Sequence, residues 1–189
     1  MGHPAHIPPR MNTRVLLVFA LGTALTFFFS SAKADPLKVG DKAPQVSATT
    51  DTGSTINLGD VYRQQSYTLV YFYPRAGTSG CTKQGCSLRD SYDELIKRGV
   101  AVVGVSTDTV AAQAKFKADQ HFPFTLIADQ GQAVIAAFGV PTRTIPVIGV
   151  IASRQAYLIK DGKIVWADYK APTTGQAAEV IKVLDDEKS

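Results

Sequence analysis

The sequence predicts an α/β fold: a mixed central sheet flanked by helices, with a short β extension ahead of it. Three observations carry that reading. Apolar runs of strand length at residues 67–73 (YTLVYFY), 100–105 (VAVVGV) and 124–128 alternate with stretches of helical spacing, as in parallel strands joined by crossover helices. Asp161-Gly162 separates two later strand-like runs, a strong hairpin signal. Ahead of residue 67 the apolar residues alternate only in short pieces.

Residues 46–58 read as a hairpin turning at Asp51-Thr52-Gly53. Residues 67–73 are apolar almost throughout, as a strand covered on both faces should be. Residues 79–98 follow as one helix, with Leu88, Tyr92, Leu95 and Ile96 on one stripe and Gly99 just past its end. After the strand 100–105, Asp108 or Thr109 caps a helix running to Gln120, and 124–128 is a third buried strand. Residues 133–138 form a short helix closed by Gly139, and 156–160 with 163–167 make the Asp161-Gly162 hairpin. Thr173 or Thr174 opens a last helix through Leu184. This order is thioredoxin-like, with extra strands in front.

The first 34 residues have a different character. An apolar run at 15–29 (VLLVFALGTALTFFF) follows Arg10 and Arg14 and leads into Ala32-Lys33-Ala34. A basic region, a short apolar core and a small-x-small site describe a secretory signal peptide. Cleavage is expected after Ala34, leaving residues 35–189 as one domain, exported to a periplasm or secreted and without stable membrane contact. The rival is an anchor over residues 15–32, although the apolar run is shorter than the ~20 residues of a spanning helix. Met11 is an alternative start, since the residues after it make a more usual basic region.

Composition narrows the function classes. With 45% hydrophobic and 19% charged residues, the chain is neither collagen-like, disordered nor a multi-span membrane protein. The net charge of +4 owes three units to Arg10, Arg14 and Lys33, leaving 17 basic against 16 acidic residues in the domain. A nucleic-acid partner therefore lacks electrostatic support. Two cysteines, Cys81 and Cys86, exclude a disulfide-dense scaffold and a four-thiolate zinc site.

The chemistry concentrates in residues 74–86 (PRAGTSGCTKQGC), between the first buried strand and the body of the next helix. Cys81 falls in the helix's first turn, where free N–H groups and the helix dipole favour an anion, so a thiolate is expected there. Thr78 can bring a hydroxyl towards the sulfur, and Pro74 stiffens and shields the loop. Cys81 and Cys86 admit two readings, a staple or a redox pair. As a staple they would add only about 2 kcal/mol. Five residues of helix separate their Cα atoms by about 8.6 Å, against a disulfide limit near 7 Å. A bond between them requires the helix to open.

Residues 71–90 (YFYPRAGTSGCTKQGCSLRD) resemble the active-site region of a peroxiredoxin of the bacterioferritin-comigratory, or Q-type, class. Pro74, Thr78 and Cys81 meet that family's P-x-x-x-T-x-x-C pattern, and Cys86 stands where it carries a second cysteine. Residues 39–44, 122–129 and 154–159 resemble its G-x-x-A-P, F-P-F…L-x-x-D and R-x-x-F-x-I segments. Ser79, Gln84 and Lys160 depart from the common Pro, Glu and Asp. Ser79 offers a possible N-cap, and Gln84 removes a negative charge near the thiolate.

The resemblance implies a thiol peroxidase acting on hydrogen peroxide and organic hydroperoxides. Cys81 would be the peroxidatic thiol and Cys86 the resolving one, joined in an intramolecular disulfide during turnover. Thr78, Arg154 and Pro74 would complete the site. It further implies recycling by a thioredoxin-like reducing protein, a monomer, and no metal or organic cofactor.

His121 reads as a cap or surface residue, Tyr71, Phe72, Tyr73 and Trp166 as core, and Arg75, Lys83 and Arg89 as solvated charge. Two other functions compete. A thioredoxin-like disulfide oxidoreductase would use C-x-x-C, whereas this chain has C-x-x-x-x-C. A copper-carrying thioredoxin-like chaperone would need a histidine beside the cysteines, and His121 is the only candidate in the domain.

Overall fold

Strand β3 (Tyr67–Phe72) is the middle of a five-stranded sheet and explains its own composition. Leu69, Tyr71 and Tyr73 enter the apolar cluster on one face of the sheet, and Val70 and Phe72 the cluster on the other. Covered on both sides, the strand has no reason to alternate. The computed structural model describes residues 1–2 and 35–187; the expected signal peptide's basic region, apolar run and small-x-small site lie outside the described residues. Among the described residues no helix is long and apolar enough to cross a membrane.

The sheet runs β5-β4-β3-β8-β9. β4 (Val100–Ser106) lies parallel to β3, with Tyr67 opposite Val100, and β5 (Thr125–Ala128) lies parallel to β4. On the other side β8 (Gln155–Lys160) runs antiparallel to β3, with Phe72 opposite Gln155, and β9 (Lys163–Asp168) closes the edge. The mixed sheet is therefore as expected. Asp161 and Gly162 both take positive φ, 50° and 70°, as a two-residue hairpin of the type I′ class requires. The front extension is also present: β1 (Ser47–Thr49) pairs with β2 (Thr55–Asn57), and Thr50 bridges to Ile127 on the edge strand β5.

Helices α1 (Leu58–Val61) and α5 (Ala133–Ala137) pack on one face of the sheet. On the other lie α2 (Ser79–Asp90), α3 (Tyr92–Lys97), α4 (Val110–Gln120) and α6 (Gln176–Asp186). Thr109 caps α4 by accepting from Ala112 N at 3.2 Å, and Gly99, at φ 76°, follows α3 as expected.

Two boundaries need correction. The single helix expected over 79–98 breaks at Ser91, whose φ of −106° and ψ of 12° leave the helical region. Asp90 and Ser91 carry short polar side chains that favour helix ends over interiors, and Asp90 turns aside to Arg89 Nε at 2.8 Å. The last helix opens not at Thr173 or Thr174 but at Gln176, because Gly175 before it sits at φ 80°. A hairpin of β6 (Thr142–Ile145) and β7 (Gly149–Ala152) was not expected.

Candidate active site

The site forms where the ends of β3 and β4, the loop 74–78 and the first turn of α2 converge. Tyr73 N donates to Val105 O at 3.0 Å, and Ala76 N to Asp108 Oδ2 at 2.7 Å. Asp108 also accepts from Ser106 Oγ at 2.7 Å. The loop is thus tied to the end of β4 by a carboxylate that sequence reasoning treated only as a possible helix cap. Pro74 and Arg75 also wall a cleft of about 420 Å³ that reaches Asp108 and Ile148; Cys81 does not line it.

Cys81 is the third residue of α2 and only 1% exposed. Arg154 immediately precedes β8, and the β3–β8 register, with Gln155 opposite Phe72, carries it to the end of β3. From there its Nη2 donates to Cys81 Sγ at 3.4 Å. Gly80 leaves the space: a Cβ there would lie 3.3 Å from Arg154 Nη2 and 3.2 Å from Thr173 Cγ2. A cation thus sits on the sulfur in the first turn of the helix, a setting that suits a developing anion on a bound substrate.

Thr78 is the N-cap of α2, yet its side chain does not cap, so Ser79 is the first helical residue rather than the cap. Its hydroxyl donates to Arg75 O at 3.0 Å instead of pointing a hydrogen bond at the sulfur. Thr78 therefore braces the loop, and its carbonyl receives Thr82 N at 2.8 Å.

Cys86 shares α2 with Cys81, both are free thiols, and its Sγ lies 3.7 Å from Gln120 Oε1. Arg89 Nη1 holds the same residue through Gln120 O at 2.8 Å, so Arg89 is more than solvated charge. A ring seals this turn of the helix: a Cβ at Gly85 would come within 2.4 Å of Phe122 Cζ. Phe122 in turn stacks on Phe124 at 5.1 Å and meets Phe116 edge-on at 4.9 Å.

Two buried side chains were missed. Gln84, noted only as a lost charge, accepts from Arg154 Nη1 and donates through Nε2 to Gln176 Oε1 at 2.9 Å. Both glutamines are fully buried. The signal for Gln84 was its place one turn after Cys81; Gln176 carried none. Tyr71, read as core, is fully buried with its hydroxyl unpartnered among the described residues. Burial holds its phenol well above the ordinary tyrosine range, with Tyr73 and Cys81 adding and Arg154 opposing, so it stays neutral. His121 is an exposed C-cap at φ 53°. Among the described residues no three His, Cys, Asp or Glu side chains gather as a metal site.

Comparison with known proteins agrees with this geometry. The AhpC/TSA family model matches residues 39–167. Peroxiredoxin Bcp of Escherichia coli is 46% identical over 106 residues, spanning 56% of this chain and 67% of that protein. The crystal structure of peroxidoxin BcpB from Mycobacterium tuberculosis superposes with a TM-score of 0.74 at 30% identity, covering 81% of this chain and 99% of that one. A bacterioferritin comigratory protein of Xanthomonas campestris, described for its alkyl peroxide reduction activity, gives 0.69 at 25% identity, covering 82% and 100%. The chain belongs to the AhpC/TSA family, as a peroxiredoxin of the Bcp and Q type.

Proposed function

We propose that Cys81 is the peroxidatic thiol and Cys86 the resolving thiol of a peroxidase acting on hydrogen peroxide and organic hydroperoxides. The observation that carries this is Arg154 Nη2 on Cys81 Sγ in the first turn of α2. The thiolate of Cys81 attacks the terminal peroxide oxygen, the O–O bond breaks, and the departing oxygen takes a proton and leaves as water or an alcohol. Arg154 and the free N–H groups of the turn stabilise charge on that oxygen. The sulfur is then a sulfenic acid. Cys86 condenses with it, a disulfide forms and water departs. A dithiol protein of thioredoxin type returns both sulfurs to thiols by exchange. The alkyl peroxide activity described for the Xanthomonas relative supports the organic substrate.

Single-turnover mixing with hydrogen peroxide tests the assignment. Cys81→Ser should not react, because a serine alkoxide is inaccessible at neutral pH. Cys86→Ser should react once and stop at the sulfenic acid. Equal rates for wild type and Cys81→Ser would sink the proposal. We also infer export, from the leader-like residues 1–34. N-terminal sequencing of the protein from its producing cell should begin at Asp35, and an intact chain held in the membrane would favour the anchor.

A further inference from the structure

Gln176 opens α6 and lies two side chains, Gln84 and Arg154, removed from the reacting sulfur. Arg154 spends Nη2 on Cys81 Sγ and Nη1 on Gln84 Oε1. A guanidinium only donates, so Gln84 has to show it oxygen; the amide turned over would set N–H groups against N–H groups. What decides the orientation is where the other end of the amide goes. Gln84 Nε2 donates to Gln176 Oε1 at 2.9 Å, across 92 residues of sequence. The acceptor is well placed: Ala177 N donates to Ser87 Oγ at 3.2 Å, a second tie between the start of α6 and the same stretch of α2. Gln176 gains little for itself. It is fully buried, and among the described residues its Nε2 has no partner, an arrangement that lowers stability and that packing alone does not explain.

We propose that Gln176 is a positioning residue for the peroxidase step. Its side-chain carbonyl holds the Gln84 amide with oxygen towards Arg154, and this keeps the guanidinium on the Cys81 sulfur. The inference rests on the peroxidase reading of Cys81. The chain Gln176–Gln84–Arg154–Cys81 runs from the far helix to the nucleophile through hydrogen bonds that can each point only one way.

The test is single-turnover oxidation of Cys81 by hydrogen peroxide in the full chain, read by rapid quench and mass spectrometry. Gln176→Met keeps the volume and removes the acceptor, and should slow oxidation by about tenfold, the scale of one buried hydrogen bond. Gln176→Glu keeps an acceptor oxygen and should recover to within about threefold of wild type. The decisive comparison uses Gln84→Glu as the background. A carboxylate shows Arg154 an oxygen whichever way it turns, so adding Gln176→Met there should cost less than about threefold. Equal losses in the two backgrounds would reduce Gln176 to packing, and no loss in either would remove it from the chain. A wild-type protein that ignores peroxide would instead overturn the peroxidase reading itself.

Discussion

Helices α2 and α5 lie on opposite faces of the sheet and are held to it in opposite ways. α5 is five residues long and buries Val134 and Ile135 in a cluster with Phe72, Phe138 and Tyr157. α2 has twelve residues, and its buried side chains are Cys81, Gln84 and Leu88, with Gly85 pressed on Phe122. A buried aliphatic side chain contributes about 1.5–3 kcal/mol, so residue for residue the longer helix is anchored by less apolar burial than the shorter one. Directional bonds do the rest: Arg154 and Gln176 to Gln84, Gln120 to Cys86 and Arg89, and Ala177 to Ser87. A helix held by a few such bonds stays in place for peroxide chemistry and comes away when they break. Disulfide formation needs that release, because Cys81 and Cys86 are too far apart in an intact helix.

The largest expected effect lies at the directional end of this contrast. Arg154→Ala should slow Cys81 oxidation by roughly ten- to a thousandfold, as expected for one lost charged donor. Arg154→Lys should recover only part, since a point charge replaces a planar fork that reaches both Cys81 and Gln84. Stopped-flow kinetics would decide; a wild-type rate in Arg154→Ala would mean that burial and the helix turn alone activate the sulfur.

Next in size is the release itself. Hydrogen exchange with mass spectrometry should find the amides of residues 85–90 protected in the reduced protein and exposed after peroxide treatment. α5, β3 and β4 should keep their protection in both forms, because apolar packing holds them. If the whole molecule loosens together, the two faces are one cooperative unit and the contrast fails.

The smallest effect belongs to the other face. Asp129 is buried beside α5, accepting from Ile135 N at 2.8 Å and Val134 N at 3.2 Å. Burial raises its carboxyl above the ordinary range, with the backbone bonds opposing. A raised carboxyl stabilises the fold fully below its unfolded value near 3.9, and that contribution is lost as pH rises through the folded value. Relative to Asp129→Asn, wild type should therefore lose stability as pH rises through that window, in parallel chemical denaturations. A gap moving the other way would show that the two backbone bonds outweigh burial even on the apolar face.

Particular residues show what was readable from the chain. Residues 67–73 and 100–105 announced buried strands because both their faces are covered, and Asp161-Gly162 announced its turn because few dipeptides accept two positive φ values. Pro74, Thr78, Cys81, Cys86 and Arg154 stand out in the chain by motif and spacing, and Arg154 Nη2 reaches Cys81 Sγ in the fold. The β6–β7 hairpin escaped notice because Arg143, Thr144, Pro146 and Gly149 interrupt any alternation of apolar residues. The break at Ser91 escaped because a helical stripe continues across a change of direction.

By itself the sequence determined the order of the five strands of the main sheet, the place of Cys81 in a helix's first turn and the five-residue spacing that makes a helical disulfide impossible. These follow from local rules: φ preferences, apolar periodicity and the rise of a helix. Tertiary structure alone decided that Thr78 braces its loop instead of touching the sulfur, that Asp108 ties that loop to β4, and that Gln176 meets Gln84. A hydrogen bond between side chains 92 residues apart leaves no periodicity and no motif. It exists only once two helices have packed and a buried amide has one neighbour left to satisfy it.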